Sequence, residues 1–403
     1  MIDKIECWEL TDLIDTIIDN RGKSVPTVDK GFPLIATNCI KDSSIYPTLD
    51  NVRYVDDDTL ENWFRAHLAA GDILFVNKGT PGRVCLVPDP VSFCAAQDMM
   101  AFRVNSKKVY NRYLFAVLRS DFVQQKIKNY HVGLVIPHFK KQDLNSILIP
   151  KKNERDQKLI GDLYFDLSEK IELNNKTNAV LDELAKTVYE YWFVQFDFPD
   201  ANGKPYKASG GRMVYNEKLK KEIPEGWQDK TIADWIEKDK SGDWGKESAQ
   251  GNYTEQVSCI RGADINGLNG NGEVKAPERF ILEKNTHKLL EEGDLIIEIS
   301  GGSPTQSTGR MAFITQETLE RFENPLICSN FCKAVTLKDE TYLYNFVYQW
   351  QRLYDAGVLF GWEGKTSGIK NLLFESFVTN YKTVFPKKDI VEKFYQKIKP
   401  IHA

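Results

Sequence analysis

A motif that occurs twice is the feature of this sequence that most restricts its fold. The segment Gly71-Asp72-Ile73-Leu74-Phe75-Val76 is echoed, at an offset of 222 residues from Gly71 to Gly293, by Gly293-Asp294-Leu295-Ile296-Ile297-Glu298. Each copy runs into a loop rich in Gly, Pro or Thr, which ends at Arg83 in the first copy and at Arg310 in the second. So long a spacing is typical of two related domains, since solenoid repeats recur every ~20–50 residues.

Three further pairs of segments recur in the same order. They are Ile35–Ile40 with Ile260–Ile265, Tyr113–Phe115 with Tyr342–Tyr344, and Ile147–Lys152 with Lys382–Lys388. Four matches in one order are better explained by tandem duplication of a domain of about 150 residues than by chance. The sequence therefore predicts one domain over residues 1–152 and a second over residues 228–386.

Each copy has the pattern of a mixed α/β domain. Short β-rich runs such as Ile73–Val76 and Leu295–Ile299 lie between Gly- and Pro-containing loops, which is typical of strands. Apolar residues recur at helical spacing between Tyr110 and Ile127, which predicts a helix there.

The segment 153–195 between the copies differs in kind, because it predicts one long amphipathic helix. Its narrow stripe consists of Ile160, Leu163, Leu167, Ile171, Asn174, Asn178, Leu181, Leu184 and Val188. A helix of about 42 residues extends roughly 63 Å, more than either domain needs for its own core. We therefore expect the stripe to pack on a partner helix as in a coiled coil, with the asparagines selecting register. The alternative is a helix that lies on one domain, with both asparagines facing solvent.

A second helix is expected after the second copy. Residues 387–403 show similar apolar spacing, but they make a much shorter helix than the first. Residues 196–227 connect the long helix to the second copy. The predicted fold class is thus α+β, with two tandem mixed α/β domains separated by a long coiled-coil helix and a shorter C-terminal helix at the end.

Composition excludes several classes of protein. The 403 residues carry 53 Lys and Arg against 57 Asp and Glu, so net charge alone does not indicate a nucleic-acid-binding protein. Residues 203–222 nevertheless hold six basic side chains against two acidic ones, which is compatible with a phosphate-facing surface. No apolar run reaches the ~18 residues of a membrane span. The N-terminus lacks a signal pattern, and seven sparse cysteines indicate reduced thiols in a cytoplasm.

The passage from the long helix into the second copy resembles a known family. The residues that carry the resemblance are Trp192-Phe193-Val194-Gln195-Phe196-Asp197-Phe198-Pro199, Gly203-Lys204-Pro205-Tyr206-Lys207 and Ile223-Pro224-Glu225-Gly226-Trp227. Together with two unequal copies and an intervening helix, they resemble the specificity subunit of type I restriction–modification systems. The resemblance covers nearly the whole chain.

The resemblance implies a bacterial defence protein that binds DNA without catalysis. Each copy would be a target recognition domain that reads one half of a split sequence, and the long helices would pair antiparallel to fix the gap. The helices would also dock two methyltransferase subunits, which use S-adenosylmethionine to methylate adenine. A separate restriction subunit would supply ATP- and Mg-dependent translocation and cleavage, so no cofactor or metal is expected in this chain. The sequence departs from the family at its short C-terminal helix, which concerns spacing and docking more than DNA reading.

Loop residues that can enter a DNA groove are the candidates for DNA contact. Basic side chains bind phosphates, and Arg, Lys, Asn, Gln, Ser and Thr read base edges. The candidates are Lys78, Thr80, Arg83, His138, Lys140, Lys141, Arg261, Ser303, Thr305, Gln306, Arg310, Lys365, Thr366 and Lys370. Because the family has no fixed contact motif, these candidates rest on chemistry and loop position.

The residues themselves leave two other functions open. A duplicated scaffold that binds proteins agrees with the slightly acidic balance of charge. A Mg²⁺-dependent nuclease needs an acid followed by Glu-x-Lys. Asp264 with Glu273–Lys275 and Asp355 with Glu363–Lys365 have that order, although a chain this rich in charge contains such matches by chance.

Overall fold

The computed structural model describes residues 6–20, 23–129, 137–270, 272–301, 305–366 and 368–402. The chain forms two compact units, Met1–Ala179 and Val180–Ala403. Each unit is sheet-rich, and one long helix begins in the first unit and ends in the second. The predicted α+β class is thereby confirmed.

The first unit is built on a four-stranded antiparallel sheet and a three-stranded sheet. Its elements are β1 (Cys7–Glu9), β2 (Ile14–Asp19), β3 (Phe32–Ile35), β4 (Arg53–Val55), β5 (Ile73–Val76), β6 (Val84–Leu86), β7 (Cys94–Ala95), β8 (Met99–Val104), α1 (Asn111–Leu118), α2 (Asp121–Asn129) and β9 (Leu148–Pro150). The strand orders are β2-β8-β5-β6 and β4-β3-β7, and β1 pairs with β9. Strand β5 is buried along its whole length, which places it at the centre of the core.

The second unit repeats this topology after the long helix. Its elements are α3 (Glu154–Tyr189), which enters from the first unit, β10 (Met213–Asn216), β11 (Lys221–Pro224), β12 (Gln228–Thr231), β13 (Ile236–Ser241), β14 (Tyr253–Ile260), α4 (Ile265–Leu268), β15 (Glu278–Leu282), β16 (Leu295–Glu298), β17 (Ser300–Gly301), β18 (Met311–Phe313), α5 (Gln316–Glu320), β19 (Leu326–Cys328), β20 (Cys332–Leu337), α6 (Leu343–Asp355), β21 (Glu363–Thr366), β22 (Ile369–Leu372), α7 (Phe374–Asn380), β23 (Lys382–Phe385) and α8 (Lys388–His402). The orders β13-β20-β16-β18 and β15-β14-β19, with β12 pairing β23, match those of the first unit strand for strand.

Individual irregularities and hydrogen bonds recur as well. The register shift between Ile14 and Thr16 on β2 has its counterpart between Ile236 and Lys238 on β13. The phenol of Tyr113 donates to the carbonyl of Pro150 at 2.7 Å, and in the second unit Tyr342 donates to Pro386 at 3.3 Å. These features confirm the duplication inferred from the repeated sequence motifs.

A buried aspartate follows the glycine of the repeated motif in both units. Asp72 accepts two hydrogen bonds from the guanidinium of Arg103, at 3.0 and 2.8 Å. Asp294 instead accepts from Nζ of Lys240 at 2.8 Å and from the hydroxyl of Thr336 at 2.6 Å. A buried carboxylate needs such partners because burial without them costs several kcal/mol.

The long helix α3 packs on the first unit through a face that is not its predicted stripe. Gln157, Gly161 and Phe165 on this face are buried. A Cβ on Gly161 would lie 2.6 Å from the backbone nitrogen of Tyr113, so glycine permits the helix backbone to approach α1 closely. The guanidinium of Arg112 lies 3.8 Å from the centroid of the Phe165 ring.

The end of α3 enters the aromatic core of the second unit, where it meets α8. After Tyr189 the helix continues as a wider turn, Glu190–Val194, in which Trp192 and Phe193 are buried. The ring of Phe394 on α8 lies 5.0 Å from that of Phe193 and 6.1 Å from that of Tyr189. The C-terminal helix is therefore anchored by aromatic contacts with the end of α3.

The structure has two short helices where the sequence predicted one helix between Tyr110 and Ile127. The segment Tyr110–Ile127 is not continuous, because α1 ends at Leu118 and α2 begins at Asp121. The hydroxyl of Ser120 bonds to the carbonyl of Val117 at 2.6 Å, which occupies the backbone at the break. The break turns Phe122 outward, and its side chain is 51% exposed.

In the part of the chain that the structure describes, no helix is long and apolar enough to cross a membrane. Among the same residues no two cysteines form a disulfide.

Candidate nucleic-acid interface

Two separately predicted loops meet at one edge of the first unit. The backbone N–H of Phe139 donates to the carbonyl of Asn77 at 2.7 Å, and Gly79 N–H donates to Pro137 at 3.0 Å. Lys78 and His138 consequently face each other across a β-bridge. The exposed candidates that this pairing brings to the edge are Lys78, Thr80, His138, Lys140 and Lys141.

The second unit forms the same edge with the same backbone bond. Leu372 N–H donates to the carbonyl of Ile299 at 2.8 Å, as Phe139 does to Asn77 in the first unit. Strand β17 pairs with β22, so that Ser300 lies opposite Asn371 and Gly301 opposite Lys370. The structure thus unites the predicted loop after β16 with the predicted loop before β22, and Thr305 and Gln306 are exposed beside them.

The two repeat arginines occupy equivalent backbone positions but have different partners. The carbonyl of Arg83 accepts from Val76 N–H and that of Arg310 from Glu298 N–H, both at 2.9 Å. The guanidinium of Arg310 donates to both carboxylate oxygens of Glu298 at 2.9 and 2.7 Å, and this pairing raises the pKa of Arg310. Because the side chain of Arg310 is only 16% exposed and pairs with Glu298, its charge is neutralised at the base of the loop.

Arg83 has no acid in the place of Glu298, since Val76 stands there. It lies 3.5 Å from Asp42 and lines a cleft of about 690 Å³ together with Thr80, Arg119 and Lys128. The cations Arg83, Arg119 and Lys128 outnumber the cleft's acids, Asp42 and Asp121. Such a cleft favours an anionic ligand such as a phosphate group.

A second cleft, of about 590 Å³, lies at the corresponding edge of the second unit. We call it the aromatic cleft, and its lining includes Trp244, Arg261, Glu298, Ser300, Phe331 and Ile369. Arg261 donates from Nε and Nη2 to the buried carboxylate of Asp264, at 2.8 and 2.9 Å. The candidate Arg261 therefore lies at the cleft in a fixed orientation and is about one-third exposed.

Lys370 is held by contacts with Glu363 and Phe360. Its Nζ lies 3.5 Å from the carboxylate of Glu363 and 4.8 Å from the centroid of the Phe360 ring. Burial alone would raise the pKa of Glu363, but hydrogen bonds from Thr308 and the charge of Lys370 lower it overall. Both charged groups stabilise the loop internally, and the side chain of Lys370 is 12% exposed.

The acids of the alternative nuclease motifs are also occupied by internal partners. Burial alone would raise the pKa of Asp264, but its bonds from Arg261 and from Lys275 N–H, the latter at 2.9 Å, lower it. Glu273 lies 3.8 Å from Lys275, and Glu363 accepts from Thr308 N–H at 2.8 Å. Within the described ranges, no group of three or more His, Cys, Asp and Glu side chains is arranged to hold a metal ion.

Three candidates cannot be placed. Ser303 lies outside the described residues, as do the side chains of Lys365 and Thr366. The structure adds residues that the sequence reasoning missed, namely Trp244, Phe331 and Ile369 of the aromatic cleft. Their signal was weak, because an apolar residue beside a buried strand resembles a core residue in sequence.

The predicted stripe on α3 is largely exposed. Its apolar members Ile160, Leu163, Leu167, Ile171 and Leu184 are between 38% and 56% exposed. Asn174 and Asn178 are exposed too, whereas Leu181 and Val188 are partly buried in the second unit. The pairing of this stripe with another helix stays a prediction.

Comparison with known proteins finds a family match over part of the chain and similar proteins over most of it. Residues 22–183 match the family described as type I restriction modification DNA specificity domain. The MjaIX specificity subunit of Methanocaldococcus jannaschii, a type I restriction enzyme subunit, is 22% identical over 82% of this chain and 71% of its own length. The HindI specificity subunit of Haemophilus influenzae is 26% identical over 32% of this chain and 28% of its own length.

A solved structure shows the same fold over the whole chain. The type I restriction–modification S subunit of M. genitalium superposes with a TM-score of 0.56 at 14% identity, covering 100% of this chain and 92% of its own. The family match covers most of the first unit, and the second unit repeats the strand order of the first. Residues 22–183 thus match the type I DNA specificity domain, and the chain as a whole is similar in sequence and fold to specificity subunits of type I restriction–modification systems, as the sequence resemblance predicted.

Proposed function

We propose that each unit reads one half of a bipartite DNA sequence and that the chain itself performs no chemical step. The observation that supports this most directly is the repeated edge, where the backbone is the same and the exposed side chains differ. Lys78 and Asp98 of the first unit occupy the positions of Ser300 and Phe331 in the second. Two copies of one framework with different side chains suit two different half-sites.

The proposal includes partner subunits that supply the chemistry. Two methyltransferase subunits would dock on the helical region and methylate adenine with S-adenosylmethionine. A restriction subunit would add translocation and cleavage with ATP and Mg²⁺. The exposed stripe on α3 supports such docking, because contiguous exposed apolar side chains mark interaction surfaces.

Methylome sequencing of cells with and without this gene tests the function. We expect a methylated adenine in a motif of two short sequences separated by a fixed gap, present only when the gene is intact. A methylome that does not change on deletion, or a single contiguous motif, would contradict the proposal.

A further inference from the structure

Three apolar side chains surround the aromatic cleft and remain accessible. Phe331 is 53% exposed, Ile369 41% and Trp244 37%. They come from three different segments: the turn between β19 and β20, the start of β22, and the loop after β13. Their gathering at one cleft indicates a surface for a ligand with an apolar part.

Neighbouring groups hold the ring of Trp244 and the backbone of Phe331 in place. The guanidinium of Arg279 lies 4.1 Å from the centroid of the Trp244 ring, and Arg279 also pairs with Glu247 at 3.2 Å. The carbonyl of Phe331 accepts the N–H groups of Ile299 and Ser300 at 2.9 and 3.1 Å. Because the backbone of Phe331 is fixed to the predicted DNA-reading loop, its ring is presented from a rigid position.

In the first unit, Asp98 occupies the position that corresponds to Phe331. The backbone carbonyl of Asp98 accepts the N–H of Asn77 at 3.1 Å, just as the backbone carbonyl of Phe331 accepts the N–H of Ile299. The carboxylate of Asp98 lies 3.8 Å from Lys78. An ion pair in one copy thus corresponds to an exposed aromatic ring in the other, on the same backbone frame.

Among the described residues that line the cleft, no acid is left unpaired, so the lining is compatible with a nucleic acid as its occupant. Glu298 is the acid in its lining, and both of its oxygens accept from Arg310. Arg261 lies at the rim, and Asn330 exposes its amide beside Phe331. Apolar contact in the major groove reads the 5-methyl group of thymine, and an amide or guanidinium reads neighbouring base edges.

We propose that the aromatic cleft reads thymine in the half-site of the second unit, through contact of Phe331, Trp244 and Ile369 with the 5-methyl group. This inference rests on the function proposed above and names the base chemistry of one of its two sites. Asn330 and Arg261 bind polar groups next to that methyl group.

Selection from a random DNA library tests the inference, with the full chain purified together with its methyltransferase subunits. We expect the wild-type motif to contain a T·A pair in one half. Replacing that thymine by deoxyuridine removes only the methyl group and should weaken binding about fourfold, the effect of burying one such group. The deoxyuridine comparison needs no protein variant, so it does not depend on any variant folding.

The variants F331A and W244A identify the residues. Each should bind the thymine and deoxyuridine duplexes equally and relax the motif at that pair, while the other half-site stays unchanged. F122A is the matched control, because Phe122 is 51% exposed on the first unit and lies outside the cleft. It should retain the wild-type motif.

Each other result has a definite meaning. A wild-type motif without thymine in either half, or equal wild-type affinity for thymine and deoxyuridine, overturns the inference and leaves the proposed function standing. A discrimination that F331A and W244A both retain also overturns it. A wild-type complex that selects no sequence at all removes the proposed function, and the inference with it.

Discussion

At the scale of single residues, each copy contains a buried aspartate that is paired with a cation, but the cation differs between the copies. Asp72 and Asp294 both end the same turn, and each accepts a backbone N–H three residues earlier, from Ala69 and Glu291. The cation has moved, however, from Arg103 on β8 to Lys240 on β13. A buried carboxylate tolerates either arrangement as long as one cation and its hydrogen bonds are present.

We expect D294N to destabilise the second unit by about 3 kcal/mol, because it leaves the buried ammonium of Lys240 without its closest counter-charge. Urea denaturation of the full chain, followed by tryptophan fluorescence, measures the loss. E292Q is the matched control, since Glu292 is exposed two residues away and should change stability by less than about 0.5 kcal/mol. Equal stability of the two variants would show that the buried pair contributes little.

Sequence reasoning identified loops that the fold brings together at one edge of each unit, but it did not identify the partner of every charged side chain within them. Arg310 was a candidate for DNA contact, yet its guanidinium binds Glu298 twelve positions earlier. That pair depends on the hairpin register of β16 and β18, which the motif does not encode. Phe331 was missed for the opposite reason, because local sequence does not reveal which aromatic residue of a strand end stays exposed.

At the scale of elements, α3 uses different faces for different contacts. The apolar stripe was readable because hydrophobic periodicity is the strongest helical signal. The face that actually packs on the first unit was not, since it contains Gln157 and Gly161. Gln157 serves there by accepting the N–H of Tyr110 at 2.8 Å, a tertiary contact that no periodicity indicates.

The two faces of α3 should respond differently to mutation. F165A should destabilise the first unit by about 3 kcal/mol or more, because the buried ring leaves a cavity under Arg112. L167Q, two residues away on the exposed stripe, should change its stability by less than about 0.5 kcal/mol. Thermal denaturation distinguishes them, and comparable losses in both would show that the stripe is buried within this chain.

The anchoring of α8 should depend on pH through His402. Its ring stacks on Tyr344 and lies 2.8 Å from the hydroxyl of Tyr348, and burial lowers the pKa of His402 despite the nearby charge of Asp182. A lowered pKa means that the unfolded chain binds the proton more readily. Stability from this group is therefore present above about pH 6.5 and declines as the pH falls toward the folded pKa.

Denaturation of the full chain at pH 7.5 and pH 5.5 measures this effect. H402Q should lose less stability than wild type between the two conditions, because glutamine does not titrate. H287Q is the matched control, since it replaces an exposed histidine outside α8. An H402Q profile that parallels wild type would assign the dependence to other groups.

At the scale of the whole molecule, the duplication was the part of the fold most open to sequence reasoning. Motifs such as Gly-Asp followed by a buried strand survive because each copy needs the same turn and the same central strand. The sheet orders were not predictable, because β2 pairs with β8 and β13 with β20 across more than 80 residues of chain. Such non-local pairings leave no mark in the local pattern.

The duplication predicts that both halves of the DNA target are needed for tight binding. Scrambling either half should weaken binding at least about 100-fold, because each mismatched pair costs about 1–3 kcal/mol and several are lost together. Competition binding with the full complex, repeated at several salt concentrations, separates this loss from phosphate contacts, which weaken on all duplexes as salt rises. Full affinity for a duplex that retains one half would show that a single unit suffices, and the two-site arrangement would then be wrong.

K78A should lower the affinity for every sequence and reduce its salt dependence if Lys78 binds phosphate, whereas loss of a base contact would relax only the first half-site.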